Sequence, residues 1–310
     1  MSQSPILVLS KQAEAYATLL GPQLDQPLWV STKCPDRREL ERVSVVLADP
    51  DLVAPIIPYM PSLRWLQSTW AGVTPLLKGS CQHYRLTNIK EVFGPLMSEY
   101  VFAYLLAHER QLLAHHAANQ ARQWFPQPPG VLRTKTLGLM GVGSIGRHLA
   151  TSARHFGLRV LGYSRTTAVV PELDLHFGPT ELVAMLGQCD YVVASLPSTL
   201  ATRNLLNAQT IAAIKPGAVL INVGRGNLIE EVALMEALQT GHLAAAVLDV
   251  LRQEPLPAEH PLWSTPNLTI TSHTAAPSLV EDIAPIFLDN YHRYRRGDPL
   301  RFEVDFARGY

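Results

Sequence analysis

The sequence has few charged residues and few cysteines, and each shortage excludes a class of protein. Charged residues occupy 17% of the 310 positions, against about 25% in typical domains, so a mainly disordered chain is excluded. The three cysteines, Cys34, Cys81 and Cys189, contain no CxxC pair, and we expect neither a disulfide framework nor a thiolate metal site. Three reduced thiols predict a cytoplasmic protein.

Neither sign of charge is in excess. Lysine plus arginine equals aspartate plus glutamate at 26 each, so no global field would attract nucleic acid or an anionic membrane surface. No apolar run approaches the ~18 residues of a membrane span. The histidines lack an HExxH pattern or an acidic cluster beside them, so we expect no bound metal.

The order of apolar and helical segments predicts an α/β protein in two blocks. Short apolar runs alternate with helical segments from the start of the chain. A single long helix over 95–118 and a linker over 124–130 follow. The rhythm then restarts with near-continuous apolar runs, which are typical of a parallel sheet covered on both faces. These predicted strands are 137–140, 160–163, 191–194, 218–223, 245–250 and 268–270.

A glycine-rich motif directly follows the predicted strand 137–140 and opens a helix. It reads Gly141-Val142-Gly143-Ser144-Ile145-Gly146. Gly141 permits the tight turn, Gly143 lets the backbone approach a pyrophosphate, and Gly146 lets the helix pack on the strand. Ser144 and Ile145 lie at the helix N-terminus that would hold the phosphates. The alternative is a glycine-rich turn in an unrelated α/β protein.

In dinucleotide-binding domains, an acidic residue about 20 positions beyond such a glycine motif binds the adenosine ribose. This chain has no acidic residue there. The second predicted strand instead ends in Ser164-Arg165-Thr166. A guanidinium with flanking hydroxyls suits a 2′-phosphate, because arginine pairs with phosphate through two hydrogen bonds. We therefore expect NADP(H) to be preferred, with NAD(H) as a possible second cofactor. The alternative is a solvated loop arginine.

Three polar residues follow predicted strands of the second block: Arg225, Glu254 and His273. Each alone has a simple structural explanation, as a turn cap, a solvated charge or a buried histidine. Their surroundings are Ile221-Asn222-Val223-Gly224-Arg225-Gly226, Glu254-Pro255-Leu256-Pro257 and Ser272-His273-Thr274-Ala275-Ala276. With these neighbours the chain resembles the D-2-hydroxyacid dehydrogenase family, and within it the glyoxylate/hydroxypyruvate reductases.

The resemblance implies a role for each of the three residues. Arg225 would hold the substrate carboxylate and polarise its carbonyl, His273 would exchange the proton, and Glu254 would pair with His273. This chemistry needs these residue types. A hydride arriving at a 2-keto carbon leaves an alkoxide to protonate, and histidine exchanges protons near neutral pH. The planar guanidinium fork offers two contacts to a 2-keto acid.

Further contacts are implied by the same resemblance. Substrate contacts are expected from Trp70, Ala71 and Gly72, and cofactor contacts from Leu196, Pro197, Thr202, Val223 and Asp249. The chain departs from the family pattern at three positions. Trp70 stands where a small residue is more usual, Ser272 where proline is usual, and Leu251 where an aromatic is more usual.

The resemblance also implies the architecture and the activity. We expect two Rossmann-like doubly wound parallel-sheet domains separated by an active-site cleft. They are a flavodoxin-like substrate-binding domain over 1–97 plus 280–310 and an NAD(P)-binding domain over 98–279. The activity would be NADPH-linked reduction of glyoxylate or hydroxypyruvate to glycolate or D-glycerate by a homodimer.

Two alternatives remain open for the function. One is a dehydrogenase of a bulkier 2-keto acid, which Trp70 does not exclude. The other is a cofactor-sensing binding protein without a metabolic reaction, against which the complete set of Arg225, Glu254 and His273 argues. For the homodimer interface, the best candidate is the helix 95–118 together with Trp124 and Phe125.

Overall fold

The computed structural model describes residues 4–165 and 169–307. Short, largely apolar segments of these residues form the strands, as their composition predicts. The strands are β1 Ile6–Leu9, β2 Leu28–Ser31, β3 Val45–Ala48, β4 Trp65–Ser68, β5 Arg85–Thr87, β6 Thr136–Met140, β7 Arg159–Tyr163, β8 Leu175–Phe177, β9 Tyr191–Ala194, β10 Ala218–Asn222, β11 Leu243–Leu248 and β12 Leu268–Ile270.

Helices alternate with these strands along the described chain. They are α1 Ala13–Leu20, α2 Arg37–Leu40, α3 Pro50–Val53, α4 Thr74–Leu77, α5 Gly94–Glu109, α6 Leu112–Gln120, α7 Ser144–His155, α8 Leu182–Leu186, α9 Ala208–Ala212, α10 Glu231–Gln239 and α11 Val280–Arg296.

The chain divides into two compact units, and the first comprises Met1–Val92 with Ser278–Tyr310. Its five strands lie in the order β2-β1-β3-β4-β5, and every pair is parallel. This is a doubly wound, flavodoxin-like order. The C-terminal helix α11 packs onto this unit, where Phe287 stacks on the buried ring of Trp65 with centroids 5.1 Å apart.

The second unit comprises Phe93–Pro277 and holds a seven-stranded parallel sheet. Its order is β12-β11-β10-β9-β6-β7-β8, so the direction of winding reverses between β6 and β9. Met140 of β6 is in register with Tyr163 of β7 and Ala194 of β9. The carboxyl ends of these strands therefore meet at one edge, where open α/β sheets bind their ligands.

The prediction of two Rossmann-like parallel α/β domains is confirmed. The strands β5 and β8 were not predicted, whereas β12, which also has three residues and lies at a sheet edge, was. The domain limits expected from the sequence, 97/98 and 279/280, stay predictions; the first unit's N-terminal segment ends at Val92 and the second unit ends at Pro277.

The prediction of one helix over 95–118 is wrong. The chain forms α5 and α6, and Gln111 between them has a left-handed φ of 51°. The carbonyl of Glu109 accepts a hydrogen bond from Gly130 N–H at 3.0 Å. In a continuous helix that carbonyl would accept from the residue four positions on. A contact from a distant segment therefore accompanies the break.

Candidate active site

The glycine-rich loop between β6 and α7 needs its first and last glycines for backbone reasons. Gly141 has a φ of 107°, which side-chain-bearing residues rarely adopt. A Cβ at Gly146 would lie 2.1 Å from the carbonyl oxygen of Gly141. Only a residue without a side chain at position 146 therefore lets α7 pack this close to the end of β6.

The middle of the same loop fits a dinucleotide pyrophosphate. A Cβ built at Gly143 would meet no described heavy atom within 4 Å, so this glycine borders open space. Gly143 is the N-cap of α7, and no described side chain caps that end of the helix. The backbone N–H groups that begin with Ser144 and Ile145 are suited to hold an anion there.

At the end of β7 the structure brings a histidine to the segment predicted to bind a 2′-phosphate. Ser164 Oγ lies 2.8 Å from Nε2 of His176 on β8. Arg165 is exposed, and Thr166 lies outside the described residues. The sequence did not single out His176, because the short strand β8 was itself unpredicted.

The segment after β9 approaches the end of β10 closely. A Cβ at Gly224 would lie 2.7 Å from the carbonyl oxygen of Leu196, so glycine is required for this contact. Thr202 Oγ1 donates to the carbonyl of Pro197 at 2.7 Å, which shapes the segment internally. The side chain of Val223 is buried. The predicted cofactor contacts of these residues stay predictions.

Arg225 follows β10 in a loop that the fully buried Asn222 holds from both sides. Asn222 Nδ2 donates to the carbonyl of Arg225 at 3.0 Å, and its Oδ1 accepts from Gly224 N–H at 3.1 Å. The partly buried guanidinium donates through Nη1 to the carbonyl of Gly224 at 2.7 Å. Across residues 4–165 and 169–307, no carboxylate forms an ion pair with Arg225.

The electrostatics of Arg225 favour an anionic ligand. Burial lowers the pKa of its guanidinium, and the charge of Glu254 opposes that shift. Arginine still stays charged at neutral pH. A partly desolvated cation without an ion-pair partner costs free energy, which a bound carboxylate would offset.

His273 and Glu254 form the predicted pair. His273 Nδ1 lies 2.8 Å from Glu254 Oε2, and Glu254 Oε1 accepts from the backbone N–H of Leu251 at 2.8 Å. Because a carboxylate only accepts, Nδ1 donates and Nε2 is left for proton exchange. The two side chains are 55% and 37% exposed, so the pair is accessible to a ligand.

The backbone of the His273 loop is strained and held by Asp249. Ser272 and His273 have φ values of 57° and 59°, and each left-handed residue costs roughly 1–2 kcal/mol. His273 N–H donates to the carbonyl of Asp249 at 2.7 Å. The N–H groups of Thr274 and Ala275 donate to Asp249 Oδ1 at 2.7 and 3.0 Å.

The predicted substrate loop belongs to the first unit, where it follows β4. The N–H of Trp70 donates to Ser68 Oγ at 2.9 Å, and the carbonyl of Ala71 accepts from Asn88 Nδ2 at 2.9 Å. Trp70 and Gly72 are partly buried and Ala71 is exposed. The loop is thus fixed within its own unit, and its substrate contacts stay predictions.

Residues 4–165 and 169–307 contain neither a candidate metal-binding cluster nor a helix suited to crossing a membrane. No group of three or more histidine, cysteine, aspartate or glutamate side chains there could hold a metal ion. No helix in these ranges combines the length and the apolar character that crossing a bilayer requires.

Comparisons with known proteins agree with this geometry. The sequence profile of the family described as "D-isomer specific 2-hydroxyacid dehydrogenase, NAD binding domain" matches residues 102–275. Glyoxylate/hydroxypyruvate reductase A of Serratia proteamaculans is 34% identical over 214 residues, which cover 69% of this chain and 68% of that protein.

Two crystal structures are similar over nearly the whole chain. A D-isomer specific 2-hydroxyacid dehydrogenase family protein from Aeromonas salmonicida has a TM-score of 0.95 at 42% identity, covering 98% of this chain and 100% of that one. An NADPH-dependent glyoxylate/hydroxypyruvate reductase from Sinorhizobium meliloti, in complex with NADP and sulfate, has a TM-score of 0.87 at 29% identity, covering 99% and 100%.

Proposed function

This chain belongs to the D-isomer specific 2-hydroxyacid dehydrogenase family, oxidoreductases of the EC 1.1.1 type, and we propose that it reduces glyoxylate or hydroxypyruvate with NADPH. The products are glycolate and D-glycerate. One observation carries the proposal, which is that these groups follow neighbouring strands at the same sheet edge. Arg225, partly buried and without an ion pair among the described residues, follows β10. The hydrogen-bonded Glu254 and His273 follow β11 and β12.

The proposed roles follow from these contacts. A bound reduced nicotinamide supplies the hydride for the 2-keto carbon. Arg225 binds the substrate carboxylate, which supplies the negative charge that no described carboxylate places beside the guanidinium. His273 donates a proton from Nε2 to the oxygen of the reduced carbonyl. Glu254 holds Nδ1 and so keeps the ring oriented with Nε2 towards the reacting oxygen.

We assign cofactor binding to the edge formed by β6, β7 and β9. The glycine loop and the start of α7, with Gly141, Gly143, Ser144, Ile145 and Gly146, hold the pyrophosphate. The adenosine end is assigned to Ser164, Arg165 and Thr166, and the nicotinamide end to Leu196, Pro197, Thr202, Val223 and Asp249. Substrate contacts are also assigned to Trp70, Ala71 and Gly72 of the first unit.

The substrate proposal is tested by the loss of nicotinamide absorbance. Purified protein is given NADPH or NADH with glyoxylate, hydroxypyruvate, pyruvate or phenylpyruvate. We expect the largest kcat/KM with NADPH and one of the first two acids. Turnover confined to phenylpyruvate would contradict the proposed substrate and indicate a bulkier one. Cofactor binding without turnover of any acid would contradict the enzymatic role.

The cofactor preference is tested at Arg165. In Arg165→Ala we expect the ratio of kcat/KM for NADPH to kcat/KM for NADH to fall by about tenfold, because an arginine–phosphate hydrogen bond is lost. Arg159→Ala is the matched control, since Arg159 is an exposed arginine at the other end of β7. An unchanged ratio in Arg165→Ala, or equal use of both cofactors by the wild type, would refute the preference.

We also propose that the protein is a homodimer, joined through an apolar surface of the second unit. This surface comprises Leu112, Leu113, Trp124 and Val131. Trp124 is 92% exposed and Leu113 is 80% exposed. Burial of these exposed side chains against a second copy would remove a large apolar area from water. Phe125 is held nearby by an edge contact with His115, with centroids 5.2 Å apart.

Light scattering at micromolar concentration tests the dimer. We expect the wild type at twice the 34.2 kDa mass of one chain, and Trp124→Glu at the mass of one chain, because a buried unpaired carboxylate opposes association. Val232→Glu, at another exposed apolar residue of the same unit, should remain dimeric. A monomeric wild type would overturn the proposal.

A further inference from the structure

A chain of three side chains connects α5 to the loop that carries His273. The hydroxyl of Tyr100 lies 2.6 Å from Thr271 Oγ1, which lies 2.7 Å from Asp249 Oδ1. Tyr100 is on α5, Thr271 directly follows β12, and Asp249 directly follows β11. None of the proposed catalytic or cofactor contacts uses Tyr100 or Thr271.

The direction of the hydrogen bonds in this series of three side chains follows from the number of protons that each group can donate. An ionised carboxylate only accepts, so the single hydroxyl proton of Thr271 goes to Asp249. Tyr100 must then donate to Thr271 Oγ1. Burial raises the pKa of Tyr100, so its hydroxyl keeps this proton at neutral pH.

The last member of the chain holds the strained backbone around His273. Asp249 Oδ1 accepts from Thr271 Oγ1 and from the N–H groups of Thr274 and Ala275. These three contacts hold the carboxylate in one orientation. The loop it anchors contains two consecutive left-handed residues, Ser272 and His273, which persist only where the surrounding contacts over-determine them.

We infer that Tyr100 and Thr271 are positioning residues for the reaction. They fix the orientation of Asp249, and Asp249 fixes the backbone on which His273 presents Nε2. The inference rests on the proposed role of His273 as the proton donor. It means that a residue of α5, far from His273 in the sequence, influences the orientation of the His273 ring.

The experiment compares steady-state kinetics of wild type, Thr271→Val and Tyr100→Phe. Thr271→Val keeps the shape of the side chain but removes its donor, and we expect kcat to fall by about 5- to 30-fold. KM for the 2-keto acid should stay within about twofold. Thr271→Ser keeps the hydroxyl and should restore kcat. The double variant Tyr100→Phe/Thr271→Val should be no slower than the slower of the two single variants, because both residues act through the same series of hydrogen bonds.

Tyr191→Phe controls for a loss of activity that comes only from destabilisation. It removes another buried tyrosine hydroxyl of the second unit, one that donates to Glu109. We expect a lower Tm with unchanged kcat. An unchanged kcat in Thr271→Val, a rise of KM alone, or an equal fall of kcat in Tyr191→Phe would each overturn the inference.

A structural measurement separates this inference from the proposed function. A wild type without turnover on any 2-keto acid would refute the proposed function alone. The crystal structure of Thr271→Val then decides the positioning: we expect Ser272 and His273 to leave the left-handed φ region. A loop that keeps its wild-type backbone in that variant would overturn the inference.

Discussion

Replacing His273 by alanine is expected to lower kcat by about 10²- to 10⁴-fold, because a positioned general acid contributes about that much to proton transfer. The imidazole is fixed by Glu254 Oε2 at Nδ1, at 2.8 Å, and is more than half exposed. Its Nε2 is therefore open to a substrate oxygen. Binding of NADPH, measured by fluorescence titration, should change little, since no cofactor contact is assigned to His273.

A second histidine–carboxylate pair supplies the control. His260 Nε2 lies 3.7 Å from Glu231 Oε2 in the same unit, and His260→Ala should keep wild-type turnover. Glu254→Gln should lower kcat less than His273→Ala does, since the amide still orients the ring but no longer carries the negative charge. Wild-type turnover in His273→Ala would remove the assignment of the proton donor.

The interior strands were predictable because burial on both faces leaves an apolar run in the sequence. The strands β9 and β10 lie where those runs predict them, at Tyr191–Ala194 and Ala218–Asn222. The strands β5 and β8 have only three residues each, too few to establish a period. The break after α5 involves Gly130, whose N–H bonds to the Glu109 carbonyl, and no local pattern shows that contact.

Some residues of the candidate site could likewise be singled out from the sequence, and others could not. Residue type and position after strands singled out Arg225, Glu254 and His273, and the family resemblance implied their roles. It missed His176 and Tyr100, because their partners come from other segments; Tyr100 and Thr271 are 171 residues apart. Their residue types alone carry no signal, since an isolated histidine or tyrosine is common in a core.

Ser272 shows how a departure from the family pattern acquires a physical meaning. The resemblance predicts proline before the histidine, and proline fixes φ near about −65°. Ser272 has a φ of 57°, which a proline ring cannot adopt. In this chain the orientation of the loop therefore depends on its hydrogen bonds to Asp249 rather than on a rigid ring.

Replacing Arg225 by lysine is expected to lower kcat/KM for the 2-keto acid by about 10²-fold, although the charge is kept. The fork geometry of arginine positions a carboxylate through two hydrogen bonds, and a displacement of about 1 Å can cost about 10²-fold in rate. Asn222 holds the Arg225 carbonyl and the Gly224 N–H, and the guanidinium itself donates to the Gly224 carbonyl. A lysine there would present a single point of contact from the same backbone.

The measurement is kcat/KM for glyoxylate and hydroxypyruvate beside Kd for NADPH. Arg110→Lys, at an exposed arginine of the same unit, is the control and should leave both quantities unchanged. We expect Arg225→Lys to leave Kd for NADPH within about twofold, since the substrate carboxylate and not the cofactor is the anion assigned to the guanidinium. An equal loss in cofactor affinity would assign Arg225 to the cofactor, and wild-type kcat/KM would remove it from the site.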